Sequence, residues 1–467
     1  MDTRKNNRAL LTGTITYAIG NFGTKFLSFL IVPLYTYYIM PSDLGDYDLL
    51  LTAVSLFSPL ITLKISDATY RWIIKDEENE VPYISATYKL LIRHCIIVAL
   101  ALLLINMFIP IWQCYYFIAI LVGDRILECL QKILRGLKNQ KLFAISGLVH
   151  TAIMVGYNAF MICVLHKGVV ALLQGSAISL YVTIVFILIA EKRLRKVDLK
   201  PNYGKQQRQM IKFSAPLVPS NLCWWVMSAS DRYVIRAFLG RAANGIYSVT
   251  YKFPSVLQTI FLMYNNAWTD MALAELEKGE QSEEYTKKIF QQLYQVSFGM
   301  VFVLIPLTKV VMKVILSTTY KEAAIYVGFL YLGTVFQGFS SFSGIGYLKS
   351  KKTGGAAKTS VIGAVVNIVI DILCIHFIGL FAASISTFLG FFAMWITRMR
   401  DVRESFPIRV NVARFGTYLL VGIALAVITI WTNTYIDIAL RVLALAFFLI
   451  DNRKNMKQIV SVALNKK

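Results

Sequence analysis

Charged residues make up only 16% of this 467-residue chain, and acidic ones are scarce, 26 against 48 Lys and Arg. A soluble domain carries about a quarter charged residues, so the composition excludes an ordinary soluble globular protein. Histidine occurs four times. His150 and His376 stand alone, without ligand spacing, and no metal site is expected. Of the six cysteines all but Cys114 fall inside apolar runs, and no C-x-x-C pair occurs. That argues against a disulfide framework or a metal cluster and for small buried residues. The longest polar segments, Glu191–Arg208 and Glu275–Lys288, hold no Gly-rich phosphate cradle, so ATP hydrolysis is not expected. A long outer loop and a His-based constellation are also lacking, which disfavours a membrane polymerase or acyltransferase. No enzyme is expected. The basic start, Met1 to Arg8, leads into an apolar stretch too long for a cleavable signal.

What is present is apolar sequence, 57% of the chain. It recurs in runs of about 20 residues, the length that crosses the hydrocarbon core. The pattern predicts an all-α polytopic membrane protein of about fourteen spans, beginning with Thr12–Ile39 and ending with Val412–Trp431 and Ile436–Ile450. The formal charge of +22 is spread over loops that alternate with nearly uncharged ones. That is the positive-inside pattern, which places the basic loops and both termini in the cytoplasm, and it argues against nucleic-acid binding.

The halves resemble each other. At an offset of 200 positions Asn21 meets Asn221, Ser28 meets Ser228, Gly45 meets Gly245 and Tyr47 meets Tyr247. At an offset of 211, Lys138 meets Lys349, Gly168 meets Gly379 and Ala171 meets Ala382. Six spans per half give parallel repeats about an axis along the membrane normal, with a substrate path between two lobes. The expected organisation is an N-lobe over residues 1–195, a basic cytoplasmic linker at 196–210 and a C-lobe at 211–400. Two additional helices at 411–451 and a basic cytoplasmic tail at 452–467 complete it.

Polar residues inside the spans carry the functional expectation, since ionisable groups in hydrocarbon are costly. In the first span Thr14, Tyr17, Asn21, Lys25 and Ser28 line one helical face. This is either a cavity stripe with Lys25 as a cation for an anionic substrate, or a structural pairing of Lys25 with a carboxylate. The seventh span, Ile211–Leu239, places Asn221, Ser228 and Arg232 on one face beside Trp224 and Asp231. Pro216 and Pro219 are expected to break or bend it. Asp231 and Arg232, adjacent in sequence, point about 100° apart on a helix and are not expected to pair. In the fourth span Asp124 and Glu128 lie one turn apart around Arg125. They read as partners of Arg125 or Lys25, or as carriers of a coupling proton or Na+. Asp371 follows Asn367 by one turn in the eleventh span, while Arg93 and Lys252 lie where they can snorkel to an interface.

Several stretches resemble one family. These are Gly13–Thr14 through Asn21–Phe22 to Pro33–Leu34, Leu44–Gly45–Asp46–Tyr47, Asp67–Ala68–Thr69–Tyr70–Arg71–Trp72 and Leu134–Arg135–Gly136–Leu137. Their second-half counterparts are Ser230–Asp231–Arg232–Tyr233–Val234–Ile235 and Gly245–Ile246–Tyr247–Ser248–Val249. The chain resembles the bacterial polysaccharide flippases of the multidrug/oligosaccharidyl-lipid/polysaccharide exporter superfamily. The resemblance implies two six-helix bundles around a cationic cavity in the inner membrane. It also implies transfer of undecaprenyl-pyrophosphate-linked sugar units to the outer leaflet, for O-antigen, capsule or exopolysaccharide. The lipid bilayer, the lipid-linked oligosaccharide and the polysaccharide polymerase and chain-length machinery would be its partners. Lys25, Arg71, Arg93, Arg125, Arg232 and Lys252 are then the candidate cations for the pyrophosphate. Asp124, Glu128, Asp231 and Asp371 are the candidate carboxylates for ion coupling, and no organic cofactor is expected. The rival readings are a multidrug antiporter and a lipid II flippase of the same superfamily.

Overall fold

The computed structural model describes residues 23–75, 80–275, 281–350, 353–404, 406, 410–432 and 434–453. Asn21 and the tail beyond residue 453 lie outside them. Among the described residues the regular structure is helix, joined by short turns. The protein is an all-α, multi-pass membrane protein. Eight helices are long and apolar enough to cross a bilayer, nine if the bent pair Thr318–Ile325 and Val327–Tyr347 is one span. The backbone packs into two compact units, residues 1–225 and 226–467.

In the first unit a helical stretch at 23–30 turns at Ile31 into α1 (Val32–Tyr38). Pro33 sits in the first turn of α1; its missing N–H and fixed φ favour a start there and oppose one continuous helix. Met40 is extended, and Pro41 opens α2 (Pro41–Thr62). Leu63 and Lys64 both take left-handed φ, 46° and 55°. They stop α2 and let α3 (Ile65–Lys75) start afresh. The second span, expected at Leu44–Ile65, thus ends within a few residues of its expected bound, and the basic connection after it is helical. Then come α4 (Glu80–Phe108), α5 (Cys114–Gly136), α6 (Gln140–Cys163) and α7 (Val169–Ala190). Asn139 caps α6, its side chain accepting from Leu142 N at 3.1 Å.

The basic stretch after α7 is a built segment. A 3-10 turn, Lys192–Arg195, leads to α8 (Gly204–Ser214). Tyr203 and Met210 at and within α8 pack with Ile65 and Ala68 of α3 and Ala86 and Leu90 of α4. Gln207 donates to the Ala86 carbonyl at 3.0 Å. Glu191, outside the spans, is held below the usual carboxylate range chiefly by the hydrogen bond from Arg193. The seventh span breaks at Pro216, as its prolines predict, into α8 and α9 (Leu217–Ala229). It breaks again at Ser230, before α10 (Asp231–Phe238).

The second unit continues with α11 (Arg241–Glu275), α12 (Gln281–Ile315), α13 (Val327–Ser350), α14 (Thr353–Ile378), α15 (Leu380–Asp401), α16 (Val412–Trp431) and α17 (Thr434–Asp451). Small residues let α14 and α15 approach: a Cβ on Gly363 would meet the Gly390 carbonyl at 2.9 Å. Such close backbones suit packing where both helices lie in lipid and apolar burial gives no drive. An aromatic cluster fills the space between α12, α13, α15 and α16. Trp395 stacks on Phe415 at 5.0 Å, and Phe298 stacks on Tyr418 at 5.9 Å. This cluster makes the last two helices part of the second unit. Buried Lys309 of α12 reinforces that, donating to the Thr429 and Thr432 carbonyls at 2.6 and 2.7 Å and pairing with buried Asp437 at 3.3 Å.

The cysteines depart from the expectation of uniform burial. Cys95 and Cys129 are buried, but Cys163 is exposed at the end of α6. An apolar residue facing lipid needs no burial inside the protein.

Candidate functional site

Each unit brings sequence-predicted charged residues together in a cluster. In the first unit Arg125 of α5 is buried. It pairs with Asp124 and Glu128 of its own helix and donates to Ser58 of α2. The break after α2 extends this cluster. Lys64, turned by its left-handed backbone, lies 3.7 Å from Glu128 and 3.1 Å from Asp67. Lys132, two turns beyond Arg125, pairs with Asp67 from the other side. Asp124, Arg125, Glu128, Lys64, Asp67 and Lys132 thus form a ladder of alternating sign. Three cations face three carboxylates, so the ladder is neutral and Arg125 is held by carboxylates of its own helix. Lys64 and Lys132 were missed as site residues in the sequence, because the Lys64–Glu128 and Lys132–Asp67 pairs each join residues more than sixty positions apart.

Lys25 is exposed. Ser28 is half-buried and donates to the Thr24 carbonyl at 2.8 Å. Arg71 lies 4.3 Å over the ring of Phe213, at the end of the unit that carries the basic segment. Arg93 is exposed on a face of α4 that also presents Ile92, Ile96 and Ile97, the setting of a cation that snorkels. Asn221 is exposed, its amide donating to the Leu217 carbonyl at 2.8 Å, and Trp224 is half-buried. Its neighbour Trp225 donates to the Thr52 carbonyl at 3.1 Å and to Ser55 at 3.0 Å.

In the second unit the polar cluster is fully enclosed. Asp231, 1% exposed, opens α10 just after the break at Ser230. Its carboxylate accepts from Tyr247 and, at 3.5 Å, from Thr387. Arg232 does pair with Asp231, at 3.2 Å, against the expectation from helical geometry. The guanidinium curls back toward the preceding turn, where the Ser228 carbonyl accepts from it at 2.9 Å. The Tyr251 ring covers it at 4.5 Å. A long side chain and a helix break undo the 100° separation of an ideal helix. Ser228 itself is half-buried, and Lys252 of α11 is exposed.

Two residues of α14 complete this cluster. Asn367, fully buried, accepts from Ser230 at 3.4 Å and donates to Ser386 at 3.2 Å. Asp371, one turn later, is 0% exposed, and neither carboxylate oxygen has a hydrogen-bond partner among the described residues. It lies close enough to Asp231 for the two charges to interact. A second buried carboxylate therefore stands beside the Asp231–Arg232 pair. The remaining ligands are an amide and hydroxyls, an all-oxygen set suited to a proton or a hard cation and unsuited to a soft metal. Among the described residues no group of His, Cys, Asp and Glu is spaced to hold a metal ion in the usual way.

Comparison with known proteins agrees with this architecture. No curated protein matches. Among solved structures, the lipid II flippase MurJ in an inward closed conformation superposes with a TM-score of 0.67 at 15% identity, over 95% of this chain and 100% of that one. A multidrug resistance MATE transporter of the MOP superfamily, in an inward-facing conformation, gives 0.62 at 15% identity, over 83% and 98%. A MATE transporter from Vibrio cholerae gives 0.59 at 13% identity, over 85% and 97%. These likenesses establish the fold. The family pattern described as polysaccharide biosynthesis protein matches residues 10–269, more than half of the chain, and the chain belongs to that family.

Proposed function

We propose that the protein is a flippase that carries undecaprenyl-pyrophosphate-linked oligosaccharide repeat units from the cytoplasmic to the outer leaflet of a bacterial inner membrane, by alternating access. The observation that carries this reading is the match of a polysaccharide-biosynthesis chain to the fold of a lipid II flippase. That fold is covered end to end and spans 95% of the present chain, against 83–88% for the multidrug transporters. The last two helices, bound into the second unit by Lys309 and the aromatic cluster, favour the same side of that comparison. The polysaccharide family favours a sugar repeat unit over lipid II.

The pyrophosphate is a dense dianion, so its passage calls for cations that a head group can reach. Arg125 belongs to a neutral ladder and Arg232 to a carboxylate cluster. Arg71 and Arg93 sit at the ends and outer face of their helices. Lys25 and Lys252, both exposed, are the cations best placed to meet a head group in transit. The Asp231–Asp371 cluster is the reading for ion coupling. Asp371 adds a carboxylate with no hydrogen-bond partner among the described residues, at a depth where a negative charge is costly. A proton or Na+ there restores neutrality, and its arrival and departure would shift the unit between conformations.

The test follows the lipid-linked sugar pool by leaflet in the host. Loss of the gene should trap the pool on the cytoplasmic face and remove surface polymer. Wild type should restore both, and Lys25→Ala with Lys252→Ala should not. Normal surface polymer with raised drug sensitivity would instead select the multidrug antiporter. Transport in vesicles under a pH or Na+ gradient, with Asp371→Asn as control, identifies the coupling ion.

A further inference from the structure

The second unit has another polar recess, apart from Asp231 and Asp371. It lies between α12, α16 and α17, has a volume of about 590 Å³, and is lined by Lys288, Arg414 and Arg453, three glutamines of α12 and a single carboxylate, Asp451. Asp451 is taken up in an ion pair with Arg414, so the recess keeps a net charge of two positive, three cations less one carboxylate. Arg414 is already in place. Its own backbone N–H is capped by Asn411 at 3.1 Å, and its guanidinium lies 5.8 Å over the Tyr418 ring. Gln295, 7% exposed, adds a buried amide to the wall.

The height of these groups identifies the ligand. The apolar stretch of α12 runs from Thr286 to Ile315 and that of α16 from Val412 to Trp431. Lys288 and Arg414 each stand two residues inside such a start, and Arg453 stands two residues past the end of α17. All three cations therefore lie at one membrane–water boundary, on the side that carries the basic loops. Phe447 and Ile450 give the recess an apolar wall beside the charges. Basic pockets between transmembrane helices at this level suit phosphate-bearing head groups, with the acyl chains left in lipid.

We propose that this recess binds the phosphate of an anionic phospholipid and that the lipid clamps α16 and α17 to α12. A volume of about 590 Å³ accommodates a head group, within the range of roughly 300–1,000 Å³ usual for small-molecule sites. The site is separate from the residues proposed to meet the transported sugar lipid, so its failure and the failure of the flippase reading are distinguishable.

The experiment uses the full-length protein in detergent. Lipid adducts are measured by native mass spectrometry and stability by thermal unfolding, with phosphatidylglycerol, phosphatidylcholine or inorganic phosphate added. Phosphatidylglycerol should be retained and should raise the melting temperature, while phosphatidylcholine should do neither. Lys288→Gln with Arg453→Gln leaves the Arg414–Asp451 pair intact and should weaken phosphatidylglycerol binding by about thirtyfold. The single substitutions should each weaken it by less, and Lys288→Arg with Arg453→Lys should retain it. Stabilisation by inorganic phosphate alone, lost in the same double variant, would keep the phosphate chemistry and assign it to a soluble ion. Equal binding of both lipids, or full phosphatidylglycerol binding by a double variant that melts like wild type, would overturn the proposal.

Discussion

Gly168 and Gly379, 211 positions apart, take one backbone conformation: φ 56° and ψ −138° in the first, φ 55° and ψ −135° in the second. Each precedes a helix of 22 residues, and each accepts from an alanine N–H three positions on, Ala171 at 3.2 Å and Ala382 at 3.0 Å. The repeat continues into side chains. Tyr47 hydrogen-bonds Ser176 at 2.7 Å. Their counterparts at the same offsets are Tyr247 and Thr387, which both donate to Asp231. The second unit has inserted a carboxylate where the first has a direct hydroxyl contact. The two units share a scaffold and differ in chemistry at this point.

The glycine pair should respond equally to substitution. A Cβ at either position meets nothing within 4 Å, so the cost comes from the backbone alone, about 1–3 kcal/mol for a conformation that is essentially restricted to glycine. Gly168→Ala and Gly379→Ala should lower the melting temperature by similar amounts in thermal unfolding of the detergent-solubilised protein. A neutral effect at one site and a large effect at the other would show that the shared conformation is not what holds both glycines.

Asp371→Asn should raise stability while it removes transport. An enclosed carboxylate without hydrogen-bond partners costs about 1–3 kcal/mol or more relative to a neutral side chain. Thermal unfolding should show a higher midpoint for the variant. Flux driven by an ion gradient should fall to the level of a protein-free vesicle. A variant that transports normally would remove Asp371 from coupling.

Arg125→Gln should destabilise the first unit by roughly 3–5 kcal/mol, because it leaves Asp124 and Glu128 partly buried without their shared cation. Adding Asp124→Asn and Glu128→Gln should recover much of the loss, since no carboxylate then remains without a cation, Asp67 keeping Lys64 and Lys132. The comparison of single and triple variants isolates the coupling. Failure of the carboxamides to rescue would point to packing of the Arg125 stem rather than to charge.

Lys309→Met should loosen the last two helices selectively. It strips buried Asp437 of its cation and frees the Thr429 and Thr432 carbonyls at the α16–α17 turn. Proteolysis or hydrogen exchange should show faster opening of α16 and α17, with α2 to α7 unchanged. Lys309→Met with Asp437→Leu should restore most of the protection, following the behaviour of buried pairs replaced by apolar residues.

The chain by itself determined the fold class. Apolar runs of membrane-spanning length, alternating basic loops, the break announced by Pro216, and the offset matches are local or periodic properties, and the bilayer allows helices few alternatives. The pairing of Asp124 and Glu128 with Arg125 was legible for the same reason, since all three stand within one turn of one helix. Only the tertiary structure decided what required distant residues to meet. Lys64 and Lys132 joined the ladder through left-handed Leu63 and Lys64, a backbone feature with no glycine to signal it. Arg232 turned back onto Asp231 because Tyr251 and the Ser228 carbonyl hold it there, where an ideal helix would have kept the two apart. The isolation of Asp371 was equally invisible, because a carboxylate in a sequence gives no sign of which neighbours will fail to supply a donor.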